Sequence, residues 1–268
     1  GRPPRWTRSA RSEPPAEDTL RSSTRIEVLR LFNECRMRNL AGILALLSFQ
    51  AAALTLTTEE YPPFNFSTDD GQTIAGQSTE IMREVARRTG IKVTIGLFPW
   101  RRAYQMALDD KDTCVFSTTR TEAREKLFKW VGPLLQTSWA FYATADSPIA
   151  LKDFDDARRF RVGGYQGDAK ALYLKENGFQ IDEAVTEEQT ARKLKAGRID
   201  LWAGDSGTAE WIAKRLDMKI RPVLSYKKTE MYAACNLRIP DSEIRRMNEA
   251  IQAMRADGSF ERIVKSYR

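Results

Sequence analysis

The sequence predicts an α/β protein made of two similar units, on three observations. Between Leu54 and Thr119 the pattern alternates strand, helix, strand, helix, strand. A second alternation of the same kind runs from about Val162 to Val223. Two amphipathic helices, Asp241 to Arg255 and Ser259 to Tyr267, are then left over to pack back on the first unit.

Composition narrows the function. The 268 residues are 42% hydrophobic and 29% charged, which is a globular balance. The formal charge is +7, but the first 53 residues contribute 9 Arg against 5 acids. The remaining 34 basic and 31 acidic residues describe a mixed, solvated surface and argue against a nucleic-acid partner. There is no histidine, which removes Ser-His-Asp and Cys-His catalysis and histidine-based metal sites. The three cysteines, Cys35, Cys114 and Cys235, have no metal-ligand spacing, so neither a metal nor a cofactor is expected.

Residues 1–36 are rich in Arg, Ser and Pro and read as a disordered or non-native extension. Residues 37–53 have a basic start at Met37-Arg38, a short apolar run from Leu40 to Phe49 and small residues at Ala51-Ala52-Ala53. That is the pattern of a secretory signal peptide, too short to span a bilayer comfortably. A buried core helix is the competing reading. No cysteine follows the run, so no lipid anchor is expected and the mature chain should begin near Leu54, outside the cytoplasm.

Leu54 to Thr58 alternates and is rich in β-formers, and Tyr61-Pro62-Pro63-Phe64 stops it in a stiff loop. Strand-end loops are where open α/β sheets bind ligands, which marks Tyr61 for stacking. Thr79 to Thr89 predicts a helix with Ile81, Met82, Val85 and Ala86 inward, Ser78 as cap and Gly90 as stop. Ile91 to Ile95 is the next strand. Pro99-Trp100 opens a helix to Leu108 with Ala103, Met106 and Ala107 inward, and Trp100 is expected to be part core, part cleft lining. Thr113 to Phe116 is the third strand of a parallel sheet.

That strand runs into Ser117-Thr118-Thr119 and, five residues after Thr119, reaches Arg124. Hydroxyls and main-chain N–H groups followed by a forked cation suit an anion, because guanidinium grips carboxylate bidentately. A surface loop with a solvated Arg is the plain alternative. In the second unit, Thr137 to Ala143 is a strand, a short strand centres on Val162, and helices span Ala169 to Asn177 and Glu187 to Leu194. Ile199 to Ala203 is a strand ending at Gly204-Asp205, and a helix follows from Thr208 to Leu216. A strand at Lys219 to Val223 completes the unit, and Met231 to Leu237 is one more strand. Asp168 and Asp205 lie on its strand-end loops, and Asp205 could equally cap the following helix.

The stretch from Val115 to Arg124 and the ending Met254-Arg255-Ala256-Asp257-Gly258-Ser259-Phe260, with Ile263 and Tyr267, resemble the extracytoplasmic solute-binding proteins of ABC transporters, polar amino-acid-binding type, over about residues 54–268. The resemblance implies a type II periplasmic-binding-protein fold, two α/β lobes joined by a two-strand hinge. It implies lobe 1 at 54–134 and 230–268, and lobe 2 with the hinge at 135–229. It implies a monomeric periplasmic protein, not an enzyme, that captures an amino acid or related carboxylate and delivers it to an ABC permease. Arg124 matches the carboxylate-binding Arg, with Ser117 and Thr119 as partners. Tyr61 matches the packing aromatic, Asp205 the acid that takes the α-ammonium, and Asp168 the second-lobe loop facing the carboxylate. Asp168 departs from the hydroxyl usual there, and Gln77-Ser78 departs from the signature after Gly76. A cyclohexadienyl dehydratase-like enzyme using Glu59, Asp168 or Asp205, or a stand-alone sensing domain, are the alternatives on the same fold. Cys114 and Cys235 fall on first-lobe strands that this fold makes neighbours. A disulfide is open to them in an oxidising compartment, but two small buried thiols is the favoured expectation, since strand positions often fail disulfide geometry.

Overall fold

In the computed structural model, the described residues are 1, 53–68, 71 and 73–267. The signal-peptide pattern up to Ala52, and Cys35, lie outside them. The described residues from 53 onward form one compact unit.

The strands are β1 (Leu54–Thr58), β2 (Phe66–Ser67), β3 (Ile74–Ala75), β4 (Val93–Leu97), β5 (Thr113–Thr119), β6 (Lys129–Thr144), β7 (Val162–Tyr165), β8 (Ile181–Ala184), β9 (Leu201–Asp205) and β10 (Ile220–Cys235). The helices are α1 (Gln77–Thr89), α2 (Trp100–Asp109), α3 (Ala169–Glu176), α4 (Glu187–Lys195), α5 (Ser206–Arg215), α6 (Asp241–Ala256) and α7 (Ser259–Lys265).

Eight strands make one sheet in the order β4-β1-β5-β10-β6-β9-β7-β8. It reads the same from either end. In each half a parallel trio (β4-β1-β5, or β8-β7-β9) is flanked by one antiparallel strand, β10 or β6. These two 16-residue strands pair with each other from Ile220 opposite Thr144 to Cys235 opposite Lys129, so they carry the chain between two α/β lobes. The two strands expected near Val223 and Met231 are therefore one. Its polar middle, Lys227-Lys228-Thr229-Glu230, reads as a loop in sequence because the crossing strand is partly exposed there. Strand β8 was not expected. It is an edge strand whose Asp182 and Glu183 mask its β-character.

Side-chain alternation gives each lobe a core on both faces of its sheet. In lobe 1, Cys114 and Phe116 of β5 face one cluster with Leu56, Ile81, Ile251 and Met254, while Val115 faces another with Trp100, Ala103 and Phe128. In lobe 2, Ala140, Tyr142 and Trp202 face one cluster, and Phe141, Ala203 and Leu174 the other.

The start of α1 differs from expectation. Ser78 is not the cap but lies buried in the first turn, its hydroxyl without a hydrogen-bond partner among the described residues. The free amides of that turn are satisfied by the main chain instead: Gln77 N donates to Pro63 O at 3.0 Å and Ser78 N to Phe64 O at 2.9 Å. Gly76 permits this close approach, with φ of 121° and a site where a Cβ would meet Phe64 O at 2.4 Å. The Pro-Pro loop after β1 is thereby fastened to α1.

Cys114 and Cys235 sit directly opposite each other on β5 and β10 and form a disulfide, which corrects the expectation of two free buried thiols. The bond closes a loop of 121 residues that includes all of lobe 2. A loop of that length strongly restricts the unfolded chain. A Cys114→Ser/Cys235→Ser double variant is expected to lose about 2–5 kcal/mol in urea denaturation, with no change in far-UV spectrum. A thiol count on denatured residues 54–268 should find none before reduction and two after.

Candidate functional site

The sequence-marked residues come from the C-terminal ends of five strands, β1, β4, β5, β7 and β9. Thr119 ends β5, and a short 3-10 segment, Glu122–Leu127, follows in place of an α-helix start. It folds Arg124 back so that its Nη1 donates to Thr119 O at 3.3 Å, the one hydrogen bond of that guanidinium among the described residues. Arg124 is only 8% exposed. Its guanidinium lies 5.3 Å from the Trp100 ring centre and 5.1 Å from that of Tyr104, and no carboxylate among the described residues pairs with it. Burial weighs against its charge and lowers its pKa.

Ser117 is held elsewhere. Its φ is 59°, and its hydroxyl donates to Asn65 Oδ1 in the loop after β1. Tyr61 is 5% exposed and packs on Phe64, with ring centres 5.4 Å apart. Trp100 reaches across to lobe 2, where its Nε1 donates to Gly167 O at 3.0 Å. It is both core and cleft wall, as expected. Trp139 and Trp202 are buried, and Trp139 also lines the cleft.

In lobe 2, Asp168 caps α3, accepting from Lys170 N at 2.6 Å. Asp205 is 1% exposed and caps α5, which begins two residues before the expected Thr208. One of its oxygens accepts from Gly207 N at 3.1 Å and the other from the Thr137 hydroxyl. Burial raises the Asp205 pKa, partly offset by Lys170.

Lys170 is the residue that sequence reasoning missed. It is 2% exposed. Its Nζ lies 2.9 Å from Asp168 Oδ2, 3.1 Å from Glu187 Oε1 and 3.0 Å from the Tyr61 hydroxyl, to which it donates across the lobes. Glu187, also missed, accepts from Trp202 Nε1 at 2.9 Å through its other oxygen. Burial works against the Lys170 ammonium, but Asp168, Tyr61, Glu187 and Asp205 outweigh it and hold it charged well above the ordinary 10.5. A signal existed in both cases. Lys170 precedes buried Leu174 by one helical turn, and Glu187 continues the buried stripe of Thr190, Ala191 and Leu194.

Beside these groups runs a cleft of about 760 Å³. Trp100, Tyr104 and Arg124 line it from lobe 1, Gly167 and Tyr173 from lobe 2, and Lys227 from the crossing strand. A second opening of about 860 Å³, which includes Thr119, adjoins it through Thr121, Glu122, Trp139 and Lys227. A buried cation facing an open, aromatic-walled cleft between two lobes can pair with the anionic group of a small molecule.

A family model described as bacterial extracellular solute-binding proteins, family 3, matches residues 54–268. The chain belongs to that family. A probable amino-acid ABC transporter-binding protein of Haemophilus influenzae is 24% identical over 215 residues, covering 77% of this chain and 80% of that one. The histidine-binding periplasmic protein of Escherichia coli is 24% identical over 228 residues, covering 79% and 85%. Solved structures share the fold. A histidine kinase sensor domain with similarity to periplasmic binding proteins superposes with a TM-score of 0.75 at 21% identity, over 81% of this chain and 96% of that one. An amino acid ABC transporter substrate-binding protein of Streptococcus pneumoniae bound to L-arginine gives 0.71 at 15% identity, over 80% and 94%. An ancestral amino acid-binding protein, a precursor of cyclohexadienyl dehydratase, gives 0.70 at 19%, over 80% and 95%.

In this solute-binding protein, burial strongly favours the protonated form of one carboxyl group. Glu59, at the end of β1, is 6% exposed, and its Oε2 has no hydrogen-bond partner among the described residues. Burial pushes its pKa from the ordinary 4.5 up to about 8. The folded chain thus keeps a proton that the unfolded chain releases, so the stabilisation is full below 4.5 and is lost as pH rises toward about 8. A pH series of thermal melts should show Glu59→Gln gaining on the wild type across that window and running parallel to it above.

Proposed function

We propose that this protein captures a small polar solute, an amino acid or related carboxylate, outside the cytoplasm and delivers it to an ABC permease. The observation that carries the reading is Arg124: a buried guanidinium on the cleft wall with no carboxylate partner among the described residues. A buried cation is costly unless paired, so a ligand carboxylate is its natural complement. The adjoining Thr119 segment and the aromatic walls of Trp100 and Tyr104 would hold the ligand body. Tyr61 and Ser117 act from behind, through Lys170 and Asn65, and Asp168 and Asp205 form the acidic pole of the second lobe.

The lobes are assigned as 54–134 with 230–268, and 135–229, with β6 and β10 as the hinge. Contacts that join the lobes include Trp100 to Gly167, Lys170 to Tyr61, and Phe66 against Trp211. A ligand touching both walls favours this closed arrangement, because only here are both sets of contacts made. The closed form is what a permease would recognise, and the protein works as a monomer in the periplasm, exported by the segment at 37–53. The disulfide suits that oxidising compartment.

A thermal-shift screen against amino acids and small carboxylates tests the reading, since a ligand selective for the folded state raises Tm. For any carboxylate that does so, Arg124→Ala is expected to weaken binding about 100-fold or more by calorimetry. Unchanged affinity would remove Arg124 from the site.

A further inference from the structure

A short segment of lobe 2 is built into lobe 1. It starts at Tyr165, the last residue of β7, and ends at Lys170 in the first turn of α3. Tyr165 is buried, and it belongs to the apolar cluster of Trp100, Ala103, Val115 and Phe128, which is a core of lobe 1. Its hydroxyl faces the Glu59 carboxyl and the Trp100 main chain, both of lobe 1. Next along the segment, Gly167 O accepts from Trp100 Nε1 at 3.0 Å. Lys170 Nζ then donates to the Tyr61 hydroxyl at 3.0 Å. One strand end of lobe 2 therefore meets the ends of β1 and β4 in lobe 1.

Tyr165 and Lys170 lie beside the cleft, and neither lines the space that Arg124 faces. A solute in that space neither makes nor displaces their contacts. Parting the lobes would withdraw the Tyr165 ring from an apolar core and wet Trp100 and its neighbours. The cost falls mainly on the ring. Lys170 keeps Asp168 and Glu187 in its own lobe, and water can replace it at Tyr61. Burying a ring of that size is worth about 10-fold or more in an equilibrium. The lobes are tethered by β6 and β10, so little association entropy opposes the contact.

We infer that the lobes hold each other closed without a solute, with Tyr165 as the plug and the Lys170–Tyr61 bond as the latch. Solute then enters a cleft whose two walls are already in place. A ligand that touches both walls adds to a closure that the chain itself supplies. A cleft assembled beforehand also binds without the loss of affinity that a rarely populated closed state would impose. The inference rests on the lobe assignment of the solute-capture reading, but not on the identity of the solute.

The test is the distance between the lobes in the full chain, measured by pulsed electron paramagnetic resonance after denaturation and refolding to remove carried solute. Lys126→p-acetylphenylalanine in lobe 1 and Val185→p-acetylphenylalanine in lobe 2 carry spin labels at exposed sites and leave the Cys114–Cys235 bond intact. The expected result is a main population at the separation seen in this structure. A main population at a longer distance overturns the inference and leaves solute capture standing, which the thermal-shift screen judges separately. Tyr165→Ala is expected to move the closed-to-open ratio about 10-fold or more toward open, and Tyr61→Phe/Tyr165→Ala about 100-fold. An unchanged distribution in the folded double variant also overturns the inference. If that variant does not fold, the wild-type distribution decides.

Discussion

The buried ammonium of Lys170 is the constraint on which the centre of the molecule depends. Three carboxylates and a phenol converge where the loop after β1, the start of α3, the start of α4 and the end of β9 meet. Without a cation those acids could not remain ionised together in so dry a place. With it, they become fixed struts. Asp168 both caps α3 and holds the lysine, Glu187 links it to Trp202 in the lobe 2 core, and Tyr61 carries the contact into lobe 1. Breaking one member of such a set by itself is expected to cost about 3–5 kcal/mol, since the others are left uncompensated.

Charge is thus divided unevenly across the cleft. Lobe 2 presents a neutralised cluster, and lobe 1 presents Arg124 with its charge unanswered except by two ring faces and one carbonyl. The architecture places both at the same height, because each lobe uses the same parallel trio with an antiparallel neighbour and the trios' C-terminal ends point to one crevice. The crossing strands β6 and β10 are the hinge of the proposed reading. The Cys114–Cys235 bond ties the lobe 1 end of β10 to β5, away from the strand's exposed middle.

Much of the fold is legible in the sequence, because strand and helix periods are local properties. The two α/β units, the helix stops at Gly90 and Gly258, and the start of α2 at Trp100 after Pro99 follow from alternation, helical stripes and breakers. Arg124 is legible because a strand ending in hydroxyls before an Arg is a compact chemical pattern. What escapes local reading depends on partners far away in the chain. The polar middle of β10 is a strand only because β6 lies beside it. Ser78 is no cap because the Pro63–Phe64 carbonyls, brought there by the loop, do that work. Lys170 and Glu187 read as solvated helix residues although each sits on an apolar stripe, since a charged residue on such a stripe declares itself only when its counter-charge is known. The disulfide needed the strand register, which sequence spacing does not specify.

The most direct test of the central claim is the side-chain ammonium resonance of Lys170 in protein labelled with ¹⁵N-lysine, assigned by comparison with Lys170→Arg and recorded without ligand at neutral pH. A buried, ion-paired ammonium exchanges slowly with water, whereas solvated lysines exchange too fast to be seen. One protected, charged lysine signal, unchanged when a ligand is added, is the predicted result. Absence of a protected signal from Lys170, or its appearance only with ligand, would contradict the account.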